Sequence, residues 1–249
     1  METTVQKSSF RYGLGVFIAL SRVPALPKRG HEAARPSAPA GIAVMPLDEA
    51  LANPRIAESV QMLPLTDADE YDAWRDRFAP GWAIIVPDGW KSDETIRLMG
   101  DSAKAMCVAQ RILIVVGAGA QARIDASMAS GRRTFASTLL DIVALRDAMV
   151  AISGVTEAGK ATLFRRTRTA AQERATVDVR DVIAGGRFVR DRSTARLAGT
   201  HASLVSPSVN QGCNSNAWLT TNVQGADPFG TVELVRGDVS AVRTGRATT

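Results

Sequence analysis

Arg111-Ile112-Leu113-Ile114-Val115-Val116-Gly117-Ala118-Gly119 is the stretch whose reading decides the fold class. Its apolar, largely β-branched run has no polar face, as a central parallel strand covered on both sides requires, and the glycines stop it. Trp82-Ala83-Ile84-Ile85-Val86 is a second such run, closed by the turn chemistry of Pro87-Asp88-Gly89. Helical spacing appears around them. Ser92 reads as an N-cap, Asp93 and Glu94 suit the positive end of a helix dipole, and Ile96, Met99, Ala103, Met106 and Cys107 recur on one face. Further helices are predicted from about Gln121 to Ser130, from Thr134 to Val150 and from Ala161 to Arg174, with Gly131 separating the first two. Strands alternating with helices give an α/β layered domain with a mainly parallel sheet. No internal repeat at solenoid spacing is visible.

Working outward, Pro24, Pro27, Pro36, Pro39 and Pro46 disfavour regular structure. Residues 1–40 therefore read as a flexible N-terminal arm and Pro-rich linker, and 41–249 as a single α/β domain. Its C-terminal part is rich in loops, with Pro207, Asn210, Gly212, Asn214 and Pro228, before a final strand at Gly230–Val235. The apolar run Tyr12–Leu20 is shorter than the ~20 residues that span a bilayer. Arg22 follows it closely, and the small-x-small site Ala38-Pro39-Ala40 carries a proline. The run reads as a segment packing onto the body of a cytoplasmic protein rather than a secretion signal.

The chain has 249 residues, 45% of them hydrophobic and 22% charged, enough for a sizeable core. Two cysteines, Cys107 and Cys213, and two histidines, His31 and His201, leave little inventory for a zinc cage or disulfide framework. No metal, cofactor or catalytic residue is expected. The net charge is +5, and residues 151–200 hold ten basic groups against five acids, so this segment alone accounts for the excess. Arg165, Arg166 and Arg168, grouped on the predicted helix, form a candidate surface for a polyanion or acidic partner, because guanidinium offers a planar fork of donors and stays charged. Trp and Tyr are absent from the segment, which gives base stacking little support.

One motif-like stretch is Met149 to Leu163, where Gly154, Gly159 and Lys160 stand in the register G-x-x-x-x-G-K-[ST]. It resembles the phosphate-binding loop of P-loop nucleotide hydrolases, which implies backbone N–H groups wrapped around a phosphate and Lys160 on the terminal phosphates. Ala161 replaces the magnesium-binding hydroxyl and Thr162 comes one position late, so the resemblance implies phosphate or nucleotide binding without hydrolysis. Gly117-Ala118-Gly119-Ala120-Gln121-Ala122 is similar to the Rossmann fingerprint variant G-x-G-x-x-A. Asp141 lies at about the spacing of the ribose-binding acid, but inside an apparent helix. Cys213 with His201 could pair as nucleophile and base, although an exposed thiol is the simpler reading. Asp67, Asp69, Glu70 and Asp72, followed by Arg75 and Arg77, read as the solvated face of a helix begun by Thr66. Together these features favour a non-enzymatic binding or assembly protein using its Arg-rich segment against an acidic partner or nucleic acid. A degenerate P-loop-like protein is the alternative, and homo-oligomerisation is left open.

Overall fold

The two apolar runs are strands, but what lies between them is strand as well. A computed structural model of the chain describes residues 25–66, 68–98, 107–129, 135–198, 201–205, 208–211, 216–225, 231–233 and 236–238. In chain order it forms β1 (His31–Glu32), β2 (Ala43–Pro46), α1 (Leu47–Leu51), α2 (Pro54–Gln61), α3 (Glu70–Phe78), β3 (Trp82–Val86), β4 (Lys91–Arg97), β5 (Cys107–Val116), β6 (Gln121–Asp125) and β7 (Met128–Ala129). There follow β8 (Phe135–Ala144), β9 (Met149–Gly159), β10 (Thr162–Ala171), β11 (Thr176–Gly185), β12 (Phe188–Leu197), β13 (Ser203–Val205), β14 (Ser208–Gln211), β15 (Asn216–Gly225), β16 (Thr231–Glu233) and β17 (Arg236–Asp238). No helix among the described residues is long and apolar enough to cross a membrane.

The chain crosses from one sheet to the other and back at every turn. The first sheet runs β15-β12-β10-β8-β5-β3-β2, and the second runs β16-β13-β11-β9-β6-β4. Neighbours are parallel throughout, except that β2 closes the first sheet antiparallel to β3. This is a β-solenoid-like stack. Trp82 pairs with Ile112, Cys107 with Phe135, Phe135 with Thr162, Thr162 with Phe188 and Phe188 with Asn216, so successive coils take 30, 28, 27, 26 and 28 residues. The parallel sheet expected from the sequence is present, but the α/β layering is not. The helices predicted at Gln121–Ser130, Thr134–Val150 and Ala161–Arg174 are strands, as is the start of the one predicted at Ser92.

A stacked corner explains the repeat that the sequence conceals. Four residues lead from each of β3, β5, β8 and β10 to the second sheet, and the third of them is left-handed: Gly89, Gly119, Asp147 and Arg174 have φ of 68°, 65°, 59° and 54°. His201, at φ 58°, occupies the corresponding place before β13. Corners bond upward, with Gly89 N–H donating to Ala118 O, Gly119 N–H to Arg146 O and Asp147 N–H to Glu173 O, at 2.8–3.0 Å. The residue after the left-handed one turns inward, and Ala120, Ala148, Ala175 and Ala202 are fully buried. Gly117-Ala118-Gly119-Ala120 is thus a solenoid corner followed by a strand, without the helix N-terminus that dinucleotide binding needs.

Between the sheets lies the main core, including Ile84, Ile114, Ile142, Val150, Ile152 and Val177. The outer face of the first sheet is covered too. Packing against it are Leu47, Ala50 and Ile56 of α1 and α2 at one end, and Tyr71 and Trp74 of α3 at the other. Burial on both faces is why Trp82–Val86 of β3 and Ile112–Val116 of β5 read as unbroken apolar runs. The Pro-rich stretch is not purely irregular, because β1 pairs with β5 and β2 with β3. Tyr12–Leu20 and Cys213 lie outside the described residues.

Candidate functional site

Inward positions of the first sheet stack from coil to coil, and the ladder that begins at Gln110 is polar throughout. Gln110 pairs with Thr138, Thr138 with Arg165 and Arg165 with Asp191. Opposite them, the second sheet turns Thr156 of β9 and Asp181 of β11 into the interior. Apolar clusters occupy the solenoid on both sides of this layer, one around Ile114 and Ile152, the other around Leu163 and Ile183.

Arg165 organises the layer. It forms an ion pair with Asp181 and reaches Thr156 Oγ1 at 3.5 Å. Burial disfavours its charge, but Asp181 and Asp191 outweigh that penalty and hold the guanidinium more firmly protonated than usual. Gln110 Nε2 donates to Leu98 O at 3.1 Å. Gln110, Thr138, Thr156, Arg165 and Thr167 line a cavity of about 50 Å³, room for a few waters or one small ion and far too little for a nucleotide.

The sequence-predicted residues are scattered by this fold. Gly154 lies within β9, opposite Asp181 in the ladder, and a Cβ there would stand 3.2 Å from Asp181 Oδ1 and from the Ala126 carbonyl carbon. Its missing side chain makes room for the polar layer. Gly159 ends β9 with φ 52°, Lys160 is an exposed corner residue and Thr162 opens β10. Strand, corner and strand replace the strand, loop and helix of a phosphate cradle, so Gly154, Gly159, Lys160 and Thr162 do not converge.

The three arginines are divided between the two faces of β10. Arg165 points inward, while Arg166 and Arg168 point outward beneath α3 and its approach. Arg166 meets Asp72 at 2.7 Å and donates to Thr66 Oγ1 at 3.2 Å, and Arg168 grips Asp141 through two bonds of 2.6 Å. Arg190 pairs with Asp69 and lies 5.3 Å above the rings of both Tyr71 and Phe164; Arg192 reaches Asp69 at 3.3 Å. What read as the solvated face of a helix therefore includes buried Asp72 and Arg75, bonded to each other at 2.7 Å. Asp69 also caps α3, accepting from the backbone N–H groups of Tyr71 and Asp72. Burial raises its carboxyl, but the Arg190 charge and these hydrogen bonds prevail and hold it below the ordinary value.

The described thiol, Cys107, packs against the aromatic cluster under α3, and burial pushes its pKa up, away from the reactive thiolate. His31 and His201 are exposed on β1 and at a corner. Among the described residues no three His, Cys, Asp or Glu stand together as a metal site. Sequence reasoning missed Gln110, Thr138, Thr156, Asp181 and Asp191; the usable signal was polar residues recurring one coil apart at inward positions.

No curated protein and no solved structure matches the chain significantly. Residues 98–228, just over half of the chain, match the family described as SUF system FeS cluster assembly, SufBD core domain. That stretch takes in β5 through β15, the coils that carry the polar layer. The chain therefore belongs to the SufBD core domain family of the SUF system for FeS cluster assembly.

Proposed function

We propose that the protein is a scaffold subunit in FeS cluster assembly, joining protein partners at the end of its solenoid and handling a small inorganic species of the cluster in its interior polar layer. The observation that carries this reading is the polar layer itself. Buried polar groups are costly unless they are used or paired, and here they line a cavity of ionic dimensions between two apolar cores. The partner-facing edge is β15. Among the described residues it pairs only with β12, and Asn216–Gly225 contains no charged residue, whereas β12 contains Arg190, Asp191, Arg192 and Arg196. A long uncharged edge strand invites pairing with another chain.

The test is to co-express the protein with the other SUF components of its source and reconstitute clusters anaerobically with ferrous iron and sulfide. Thr138→Val with Thr156→Val keeps the shape of the cavity and removes its hydroxyls. Complex formation should persist while the visible absorption of the assembled cluster is lost. Cluster formation at the wild-type rate would refute the cargo role of the layer.

A further inference from the structure

The second sheet is interrupted where it walls the cavity. Residues of β6 pair with β9 up to Asp125 opposite Ser153, and β7 resumes the pairing with Met128 opposite Thr156. Between them, Ala126 and Ser127 leave the ladder. Ala126 N–H still reaches Ser153 O at 2.8 Å, but Val155 N–H, which would otherwise donate to a neighbouring carbonyl, donates to Ser127 Oγ at 3.1 Å. Ser127 N–H is turned back onto Asp125 Oδ1 at 2.9 Å. Ala126 and Met128 line the cavity from this wall, with Ala126 half-buried and Ser127 exposed. Facing the gap is Gly154, where even a Cβ would come within 3.2 Å of the Ala126 carbonyl carbon.

We infer that the Ala126–Ser127 interruption is a side entrance to the polar cavity, closed in this state by the Ser127 hydroxyl on Val155 N–H and by Ala126 packed onto the bare backbone of Gly154. The inference rests on the reading of the polar layer as the cargo site and adds the route by which cargo arrives. An unbroken sheet would seal this wall with a full backbone ladder, whereas here one backbone bond, Ala126 N–H to Ser153 O, and one side-chain latch must part, while the pairing on either side stays in register. The cavity's volume of about 50 Å³ restricts the cargo to a small ion that has shed most of its water.

The test places one thiol in the cavity. In the full chain carrying Cys107→Ser and Cys213→Ser, Thr156→Cys is labelled with hydrogen peroxide, a neutral reagent little larger than water that adds one oxygen to the thiol and releases water, and Ser153→Cys on the exposed side of β9 serves as control. Ala126→Leu should slow labelling at position 156 by about tenfold or more, Ala126→Val by less, and Ser127→Ala should accelerate it, with the control unchanged throughout, since thiol reaction depends on access. An unreactive Thr156→Cys, or a rate indifferent to Ala126→Leu and Ser127→Ala, would overturn the entrance. The cargo reading fails separately: if Ala126→Leu blocks labelling while cluster assembly continues undiminished, the entrance stands and the cargo role falls. Should labelling ignore position 126 while the Thr138→Val and Thr156→Val pair still abolishes assembly, the cargo role stands and the entrance falls.

Discussion

Asp69 carries two loads that substitution can separate. As N-cap of α3 it accepts from two backbone N–H groups, and as a carboxylate it neutralises Arg190, with Arg192 at 3.3 Å and Arg166 at 3.9 Å. Asn caps a helix as well as Asp does, so Asp69→Asn removes only the charge, and Asp69→Ala removes both. Losing one partner of a buried pair costs about 3–5 kcal/mol. The Arg190 side chain is 7% exposed but Asp69 is 17% exposed, which places Asp69→Asn near the lower end, at about 3 kcal/mol. The lost cap adds about 1 kcal/mol for Asp69→Ala. In urea unfolding at neutral pH the order should be wild type, Asn, Ala, with gaps of about 3 and 1 kcal/mol. The pH dependence has a definite sign. The folded carboxyl lies below its ordinary value, so its contribution is complete above the unfolded pKa, about 3.9, and is lost as pH falls through the lower folded value. Wild type and Asp69→Asn should therefore converge in acid. An Asn variant as stable as wild type at pH 7, or a gap that persists in acid, would refute the assigned charge role.

At the corner of the second coil, Gly117→Ala places a Cβ 2.5 Å from Asp88 N and 2.6 Å from the Pro87 carbonyl carbon, so a loss of several kcal/mol, on the order of 3, should appear in thermal unfolding. Gly119→Asn should cost less than about 1 kcal/mol, since its φ of 65° suits Asn and nothing lies within 4 Å of the new Cβ; equal losses at the two positions would contradict the corner assignment. In the interior, Arg165→Met should destabilise by roughly 3–5 kcal/mol, and adding Asp181→Leu should restore much of that loss because it removes the stranded carboxylate. On β15, Thr220→Lys with Asn222→Lys should abolish partner capture and leave the melting temperature near that of wild type, measured by co-purification with the SUF components and by calorimetry.

The strands at Trp82–Val86 and Arg111–Val116 were legible because their apolar runs are short, β-branched and closed by turn residues. The helical misreading has a physical source. Covering both faces of the first sheet removes the two-residue alternation that announces a strand, and Phe135, Leu139, Ile142 and Val143 then fall by chance at helical spacing. Alanines packed where the coils turn, such as Ala144, Ala148, Ala171 and Ala175, add helix propensity to a chain whose neighbours dictate strand. The repeat escaped because the corner demands a conformation more than a residue: Gly, Asp, Arg and His all occupy its left-handed position, and only the following alanine recurs from the second coil onward.

The charge pattern is more instructive, because its arithmetic is correct while the arginines it singles out are answered by acids within the fold. Residues 151–200 do hold the chain's entire positive excess, but a solenoid brings each coil against residues one coil away and against α3, far off in sequence. Asp141 answers Arg168 from the preceding coil, Asp181 answers Arg165 across the interior, and Asp69 and Asp72 answer Arg166, Arg190 and Arg192 from a helix about 100 residues upstream. A local excess of arginine in a parallel stack marks where long-range acids must land. Such a stack can also assemble an interior polar layer from ordinary-looking strands. Gln110, Thr138 and Thr156 attract no notice in sequence, and only the 27- and 28-residue offsets that place Thr138 beside both Arg165 and Gln110 turn them into one lining.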